Sequence, residues 1–123
     1  MRDADLCGRS ILIVEDEPLI ALDIAAAFEK SGAKVTTTGL LRHAVVLVED
    51  DDLSAAVLDH LLGDGDSEVL CKRLEERGIP FLNYSGLQEP EGACRHGASI
   101  AKPADPSSLV AMVAELLKRR EAP

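Results

Sequence analysis

Apolar residues along this chain fall into two alternating patterns. Short β-like runs occur at Ile11–Val14, Lys34–Thr38, Ala55–Leu58 and Pro80–Tyr84, with a weaker one at Ala98–Ala101. Helical spacing fills the intervals between them. Over Pro18–Ser31 the apolar positions Ile20, Ile24, Ala27 and Phe28 recur at that spacing, with Pro18 suited to the first helical position and Gly32 to the stop. A second helix is expected over Leu41–Glu49 and a third over Ser67–Glu76, capped by Asp66. The last opens at "DPSSL", with Asp105 as cap, Pro106 in the first turn and an apolar stripe of Leu109, Val113, Leu116 and Leu117. The interval "SGLQEPEGACRHG" breaks this rhythm: glycine and proline punctuate it, no helical period runs through it, and a turn or loop replaces a full helix. Strands alternating with helices predict an α/β fold of (βα)5 type, a parallel sheet covered on both faces and joined by right-handed crossovers.

Composition narrows the class. A chain of 123 residues, 46% hydrophobic and 28% charged, suits one globular domain over residues 1–123 with no output domain. A formal charge of −9 argues against nonspecific binding of nucleic acid or an anionic membrane, since both require a basic face. The expected partners are therefore proteins or cations. No apolar leader and no span long enough for a membrane stand in the sequence, which predicts a cytoplasmic protein. Cys7, Cys71 and Cys94 are widely spaced and odd in number, and are expected to be reduced thiols rather than a disulfide framework or a zinc site.

The candidate chemistry lies at the strand ends. In an open parallel sheet, ligands bind beyond the carboxyl ends of the strands. The first strand here ends in Glu15, Asp16 and Glu17, the third in Asp59, the fourth in Ser85–Gly86 and the fifth in Lys102–Pro103. Crowded carboxylates raise one another's pKa and weaken a fold unless something offsets their charge. A hard divalent ion does so, because Mg²⁺ takes oxygen ligands and keeps room for water and phosphate. A lysine and a hydroxyl opposite that ion would complete the charge balance of a phosphoryl group, with an aspartate as the nucleophile that forms an acyl phosphate.

The stretches "ILIVEDEP", "AAVLDHLLGDGDS", "IPFLNYSG" and "IAKP", in this order and spacing, make the chain similar to the receiver domains of bacterial two-component response regulators over about residues 10–119. That resemblance implies a flavodoxin-like, doubly wound parallel sheet of strand order 2-1-3-4-5 with a short or disordered fourth helix. It implies Asp59 as phosphoacceptor and Glu15, Asp16, Asp59 and the Leu61 backbone carbonyl as Mg²⁺ ligands. It further implies Ser85 as the hydroxyl that follows phosphorylation, Lys102 as the phosphoryl partner, and a cis bond before Pro103. The implied partners are a sensor histidine kinase and a downstream protein or phosphotransfer protein, and a homodimer is compatible with it. Such a domain catalyses only its own phosphorylation and dephosphorylation.

Departures from the family pattern are equally specific. Ser99 stands where receivers commonly carry an aromatic switch, and Glu15 stands where an aspartate is commoner. Leu61 and Leu87 occupy the positions whose side chains commonly guide the hydrolytic water. The short interval after "PFLNYSG" resembles a subgroup of alphaproteobacterial stand-alone receivers with a "PFxFATGY" signature. Pro80, Phe81, Ser85 and Gly86 fit it, while Asn83, Tyr84 and Leu87 do not. Glu17 is expected to be solvated, the aspartates at 64 and 66 to serve turn and cap, and His43 and His96 to lie on the surface. His60 adjoins the nucleophile but should point away from it, since neighbouring strand residues face opposite sides. Two other readings fit less well. A phosphatase of the haloacid dehalogenase type would need its nucleophile on the first strand with a second aspartate two residues on, and a pseudo-receiver would bind partners without carrying phosphate.

Overall fold

The computed structural model describes residues 5–59, 61–62, 65–86, 90 and 92–121, with the backbone alone at 61, 66, 85 and 121. Five strands, β1 (Ser10–Val14), β2 (Lys34–Thr38), β3 (Ala55–Leu58), β4 (Phe81–Ser85) and β5 (Ala98–Ala101), form one parallel sheet in the order β2-β1-β3-β4-β5. The helices are α1 (Pro18–Lys30), α2 (Leu41–Leu47), α3 (Glu68–Glu76) and α4 (Pro106–Glu121). In the expected position of a fourth crossover helix stands a short 3₁₀ turn, Gly92–His96. This is the flavodoxin-like arrangement.

The alternation of side chains along each strand divides the core in two. Ile11, Ile13, Ala55, Val57, Leu82 and Tyr84 pack with α1 and α4 through Ile24, Phe28, Leu109 and Val113. Leu12, Val14, Ala56, Leu58 and Phe81 face the other way, against Ala44, Leu70 and Leu74 of α2 and α3. Strands buried on both faces must be apolar at every position, which is why β1 and β3 read as unbroken runs. The edge strand β2 exposes Lys34, Thr36 and Thr37 and relies on β-branched residues instead.

Element ends follow local chemistry. Asp105 Oδ1 accepts the Ser107 N–H at 3.1 Å and its carbonyl accepts that of Ser108 at 2.8 Å, so the expected cap of α4 is present. Gly32 closes α1 with φ +94°, a conformation that favours glycine. α2 stops at Leu47 rather than Glu49 because the N–H groups of Glu49 and Asp50 bond back three residues, to Val46 and Leu47. α3 begins at Glu68 with Ser67 in the capping position, and the expected Asp66 cap concerns a side chain outside the described residues. β4 starts at Phe81, one residue later than the pattern predicts, since Pro80 has no N–H for a ladder. Between β3 and α3 the backbone adds a small antiparallel pairing of Leu61–Leu62 with Gly65–Asp66, which no period announces.

Two findings change the picture of the 3₁₀ turn. Asn83, in the middle of β4 and fully buried, donates from Nδ2 to the carbonyls of Cys94 at 2.7 Å and Ala98 at 3.1 Å. Asn83→Ala should cost about 2–3 kcal/mol in urea unfolding, because two carbonyls would lose their buried donor. The expectation of reduced thiols is corrected: Cys71 of α3 and Cys94 of the turn are joined in a disulfide, and Cys7 is free and exposed. Their 23-residue separation hides a spatial neighbourhood created by the β4 crossover, so spacing alone could not reveal the pair.

Candidate phosphoryl and cation site

The acidic cluster is built by extending two ladders one step past the strands. The Glu15 N–H bonds the Thr38 carbonyl at 3.0 Å and the Asp59 N–H bonds that of Val14 at 2.8 Å. These bonds set Glu15 and Asp59 beside each other at the carboxyl end of the sheet, 4% and 6% exposed, while Asp16 is open to solvent. Carboxylate oxygens of Glu15, Asp16 and Asp59 lie within 4.8 Å of one another. Lys102 enters from the end of β5, its Nζ 3.2 Å from Asp59 Oδ2 and 3.4 Å from Glu15 Oε1. The Lys102–Pro103 bond is cis, as the resemblance implies.

The electrostatics of the cluster follow from burial and from the groups around it. Burial, followed by a hydrogen bond with Asp59, pushes the Glu15 carboxyl up to about 7, against the lowering effects of the Glu17 N–H and Lys102. Below about 7 the Glu15 carboxyl therefore keeps its proton. For Lys102, burial is the largest single influence and pulls its pKa down, but the carboxylates of Asp59 and Glu15 together outweigh it and hold the ammonium above its ordinary value. Glu15 Oε2 accepts the Glu17 N–H at 3.2 Å, whereas Oε1 is buried with no hydrogen bond among the described residues.

The structure brings together four of the expected residues: Glu15, Asp16, Asp59 and Lys102. Ser85 ends β4 in register with Ala101, one position before Lys102, and its hydroxyl lies outside the described residues. Leu61 is placed two residues after Asp59 by its backbone pairing with Asp66, while His60 and Leu87 lie outside the described residues. Glu17, His43 and Ser99 are exposed. His96 is also exposed, as expected, and its Nδ1 bonds the Glu75 carboxylate on α3.

Two residues of the site were not singled out by sequence. Lys102 Nζ stands 5.1 Å from the centroid of the Tyr84 ring, a cation–π contact that steadies the ammonium from the apolar side. Its signal was adjacency to Ser85 in "NYSG". Gly39 backs directly onto the acidic pair: a Cβ there would lie 3.1 Å from Asp16 Cα and 3.2 Å from the Glu15 carbonyl oxygen. Gly39→Ala would therefore press on the backbone that carries two of the three carboxylates.

Comparison with known proteins agrees with this geometry. No family model matches the chain. The transcriptional regulatory protein TcrA of Mycobacterium tuberculosis is 39% identical over 77 residues, which cover 59% of this chain and 30% of that protein. The phyllosphere-induced regulator PhyR of Methylorubrum extorquens is 30% identical over 129 residues, covering 91% of this chain and 47% of that protein. The crystal structure of a CheY-like response regulator receiver domain protein from Methanospirillum hungatei superposes with a TM-score of 0.82 at 26% identity, covering 92% of this chain and 96% of that one. The chain belongs to the response-regulator receiver domains. It spans less than half the length of these curated relatives. No helix among the described residues is long and apolar enough to cross a membrane.

Proposed function

We propose that this receiver accepts a phosphoryl group on Asp59 from the phosphohistidine of a sensor kinase, with Mg²⁺ held beside it. The observation that carries the reading is the buried Asp59 carboxylate, with carboxylate oxygens of Glu15 and Asp16 within 4.8 Å and Lys102 Nζ at 3.2 Å. An Asp59 oxygen bonds to phosphorus as the phosphorus–nitrogen bond to the donor imidazole breaks, and the nitrogen keeps the electron pair. Three carboxyl groups facing one ammonium, with Glu15 Oε1 buried and lacking a hydrogen bond, suit a hard divalent ion. Glu15, Asp16, Asp59 and the Leu61 carbonyl would hold it, and when bound it neutralises charge on the phosphoryl oxygens. Lys102 pairs with another of those oxygens, and the Ser85 hydroxyl donates to one as β4 adjusts. The added charge, about −1.5 to −2, then changes affinity for a downstream protein, or the phosphoryl group passes on to a phosphotransfer histidine.

The test is incubation with a small phosphodonor. The parent should take up hydroxylamine-labile phosphate only with Mg²⁺, and Asp59→Asn should take up none. Uptake that survives Asp59→Asn would overturn the assignment.

Persistence of the acyl phosphate is a second expected outcome. Hydrolysis needs a water aligned with phosphorus, and neither Leu61 nor Leu87 can hydrogen-bond one. Phospho-Asp59 should be long-lived, and Leu61→Asn should speed its loss about tenfold if a new polar contact contributes about 1.4 kcal/mol in the transition state. Decay of donor-free phosphoprotein in both forms measures it, and a parent that loses phosphate within seconds would contradict it.

A further inference from the structure

The turn Gly92–His96 is fastened to α3 along its whole length. Gly92, at φ +58°, packs so closely on Glu68 that a Cβ there would clash with its carboxylate. Cys94 is bonded to Cys71, with their Cα atoms 4.9 Å apart, and the His96 imidazole meets the Glu75 carboxylate. Of these three links the outer two are a surface packing contact and an exposed ion pair, weak and readily exchanged with water. The central one is covalent and buried, with Cys71 and Cys94 0% and 1% exposed. Asn83 lies under it: its Nδ2 holds the Cys94 and Ala98 carbonyls, and its Oδ1 lies 3.9 Å from Cys71 Sγ. A bond that can be made and broken thus crosses between α3, which follows the Asp59 loop, and the 92–96 turn of the connection from β4 to β5.

We propose that Cys71 and Cys94 are a site of reversible thiol oxidation that sets whether the 92–96 turn can leave α3. A signal arising at Asp59 and Ser85 reaches this connection through its β4 end, and a crosslink at Cys94 holds the other end fixed. The oxidised protein would carry phosphate without releasing the turn, and the reduced protein would couple the two. The oxidant is of the hydroperoxide class. One cysteine thiolate attacks a peroxide oxygen, the O–O bond breaks, and the departing hydroxide takes up a proton, leaving a sulfenic acid. The second thiol attacks that sulfur, the S–O bond breaks, and water leaves as the disulfide forms. Two thiols lose two electrons in total, and with hydrogen peroxide as the oxidant the products are the disulfide and two waters. A dithiol reductant reverses the step by exchange. Oxidant reaches the buried sulfurs when the turn opens locally, since the outer links are weak.

The coupling to output rests on the phosphoacceptor reading above, while the oxidation site does not. The experiment uses the full chain carrying Cys7→Ser, which removes the exposed thiol, prepared once with hydrogen peroxide and once with a dithiol. Peptide mapping of the peroxide-treated form should find Cys71 linked to Cys94. Backbone amides of residues 92–98 should exchange at least about tenfold faster in the dithiol form, as loss of a crosslink implies. Adding Mg²⁺ and trifluoroberyllate, which mimics the phosphoryl group, should alter their protection in the dithiol form alone. The Cys71→Ser, Cys94→Ser double variant should behave as the dithiol form under both treatments. Absence of the linked peptide, equal exchange of 92–98 in the two forms, or an equal response of both forms to trifluoroberyllate that fluorine NMR shows to be bound would overturn the proposal. If fluorine NMR shows no bound trifluoroberyllate in either form, the phosphoacceptor reading fails while the exchange difference still upholds the oxidation site.

Discussion

Without divalent cation, the protein should lose on the order of 3 kcal/mol of unfolding free energy as the pH rises from about 4.5 to about 7. The reason is Glu15. Its carboxyl has an ordinary value of 4.5 and stands at about 7 in the fold, so within that window the native state holds a proton that the unfolded chain has released. Stability therefore falls with rising pH across the window. The contribution is fully present below 4.5 and gone above 7. Glu15→Gln keeps the shape and removes the titration, so the difference between parent and variant in urea unfolding isolates this group. Mg²⁺ should substitute for the proton: at about a hundredfold over its dissociation constant it should add about 2.7 kcal/mol at neutral pH. Asp16→Asn should remove most of that gain. Parallel pH curves for parent and Glu15→Gln would contradict the account.

Lys102→Met should be the most damaging single change at the site in the cation-free protein. The ammonium sits within 3.4 Å of both buried carboxylates, and its own side chain is 27% exposed. Removing it leaves Glu15 and Asp59 facing each other with no cation near, and taking one partner from such a cluster costs about 3 kcal/mol. The Glu15 carboxyl should rise further, because an opposing charge that lowers it is gone. Mg²⁺ should recover much of the lost melting temperature, since it supplies charge to the same carboxylates. Thermal unfolding with and without Mg²⁺ makes the comparison. A variant as stable as the parent without Mg²⁺ would show that Lys102 does not balance the cluster.

The fold was legible because its signals are local. The unbroken runs of β1 and β3 and the punctuation by Pro18, Gly32 and Asp105 carried the element order, and strand ends in a parallel sheet converge by topology. Glu15, Asp16, Asp59 and Lys102 were legible for the same reason: each lies within two residues of a strand end. What stayed hidden depends on packing between distant segments. Nothing near Cys71 or Cys94 in sequence shows that the β4 crossover sets them side by side. Asn83 stands out in the sequence only as a departure from the subgroup signature, and its two carbonyl partners explain it. Nothing in the sequence marks Gly39 as the residue against the Asp16 backbone, or Tyr84 as the ring beneath the Lys102 ammonium. β4 lies one residue later than its apolar pattern predicts, at the same length, because Pro80 counts as apolar yet cannot join a ladder.

Binding of trifluoroberyllate, followed by fluorine NMR, tests most directly whether Glu15, Asp16, Asp59 and Lys102 form a cation-assisted phosphoryl site. The account predicts bound-state fluorine signals for the parent with Mg²⁺ present, none without Mg²⁺, and none for Asp59→Asn under any condition. Bound signals that persist in Asp59→Asn, or a parent that shows none with saturating Mg²⁺, would contradict it.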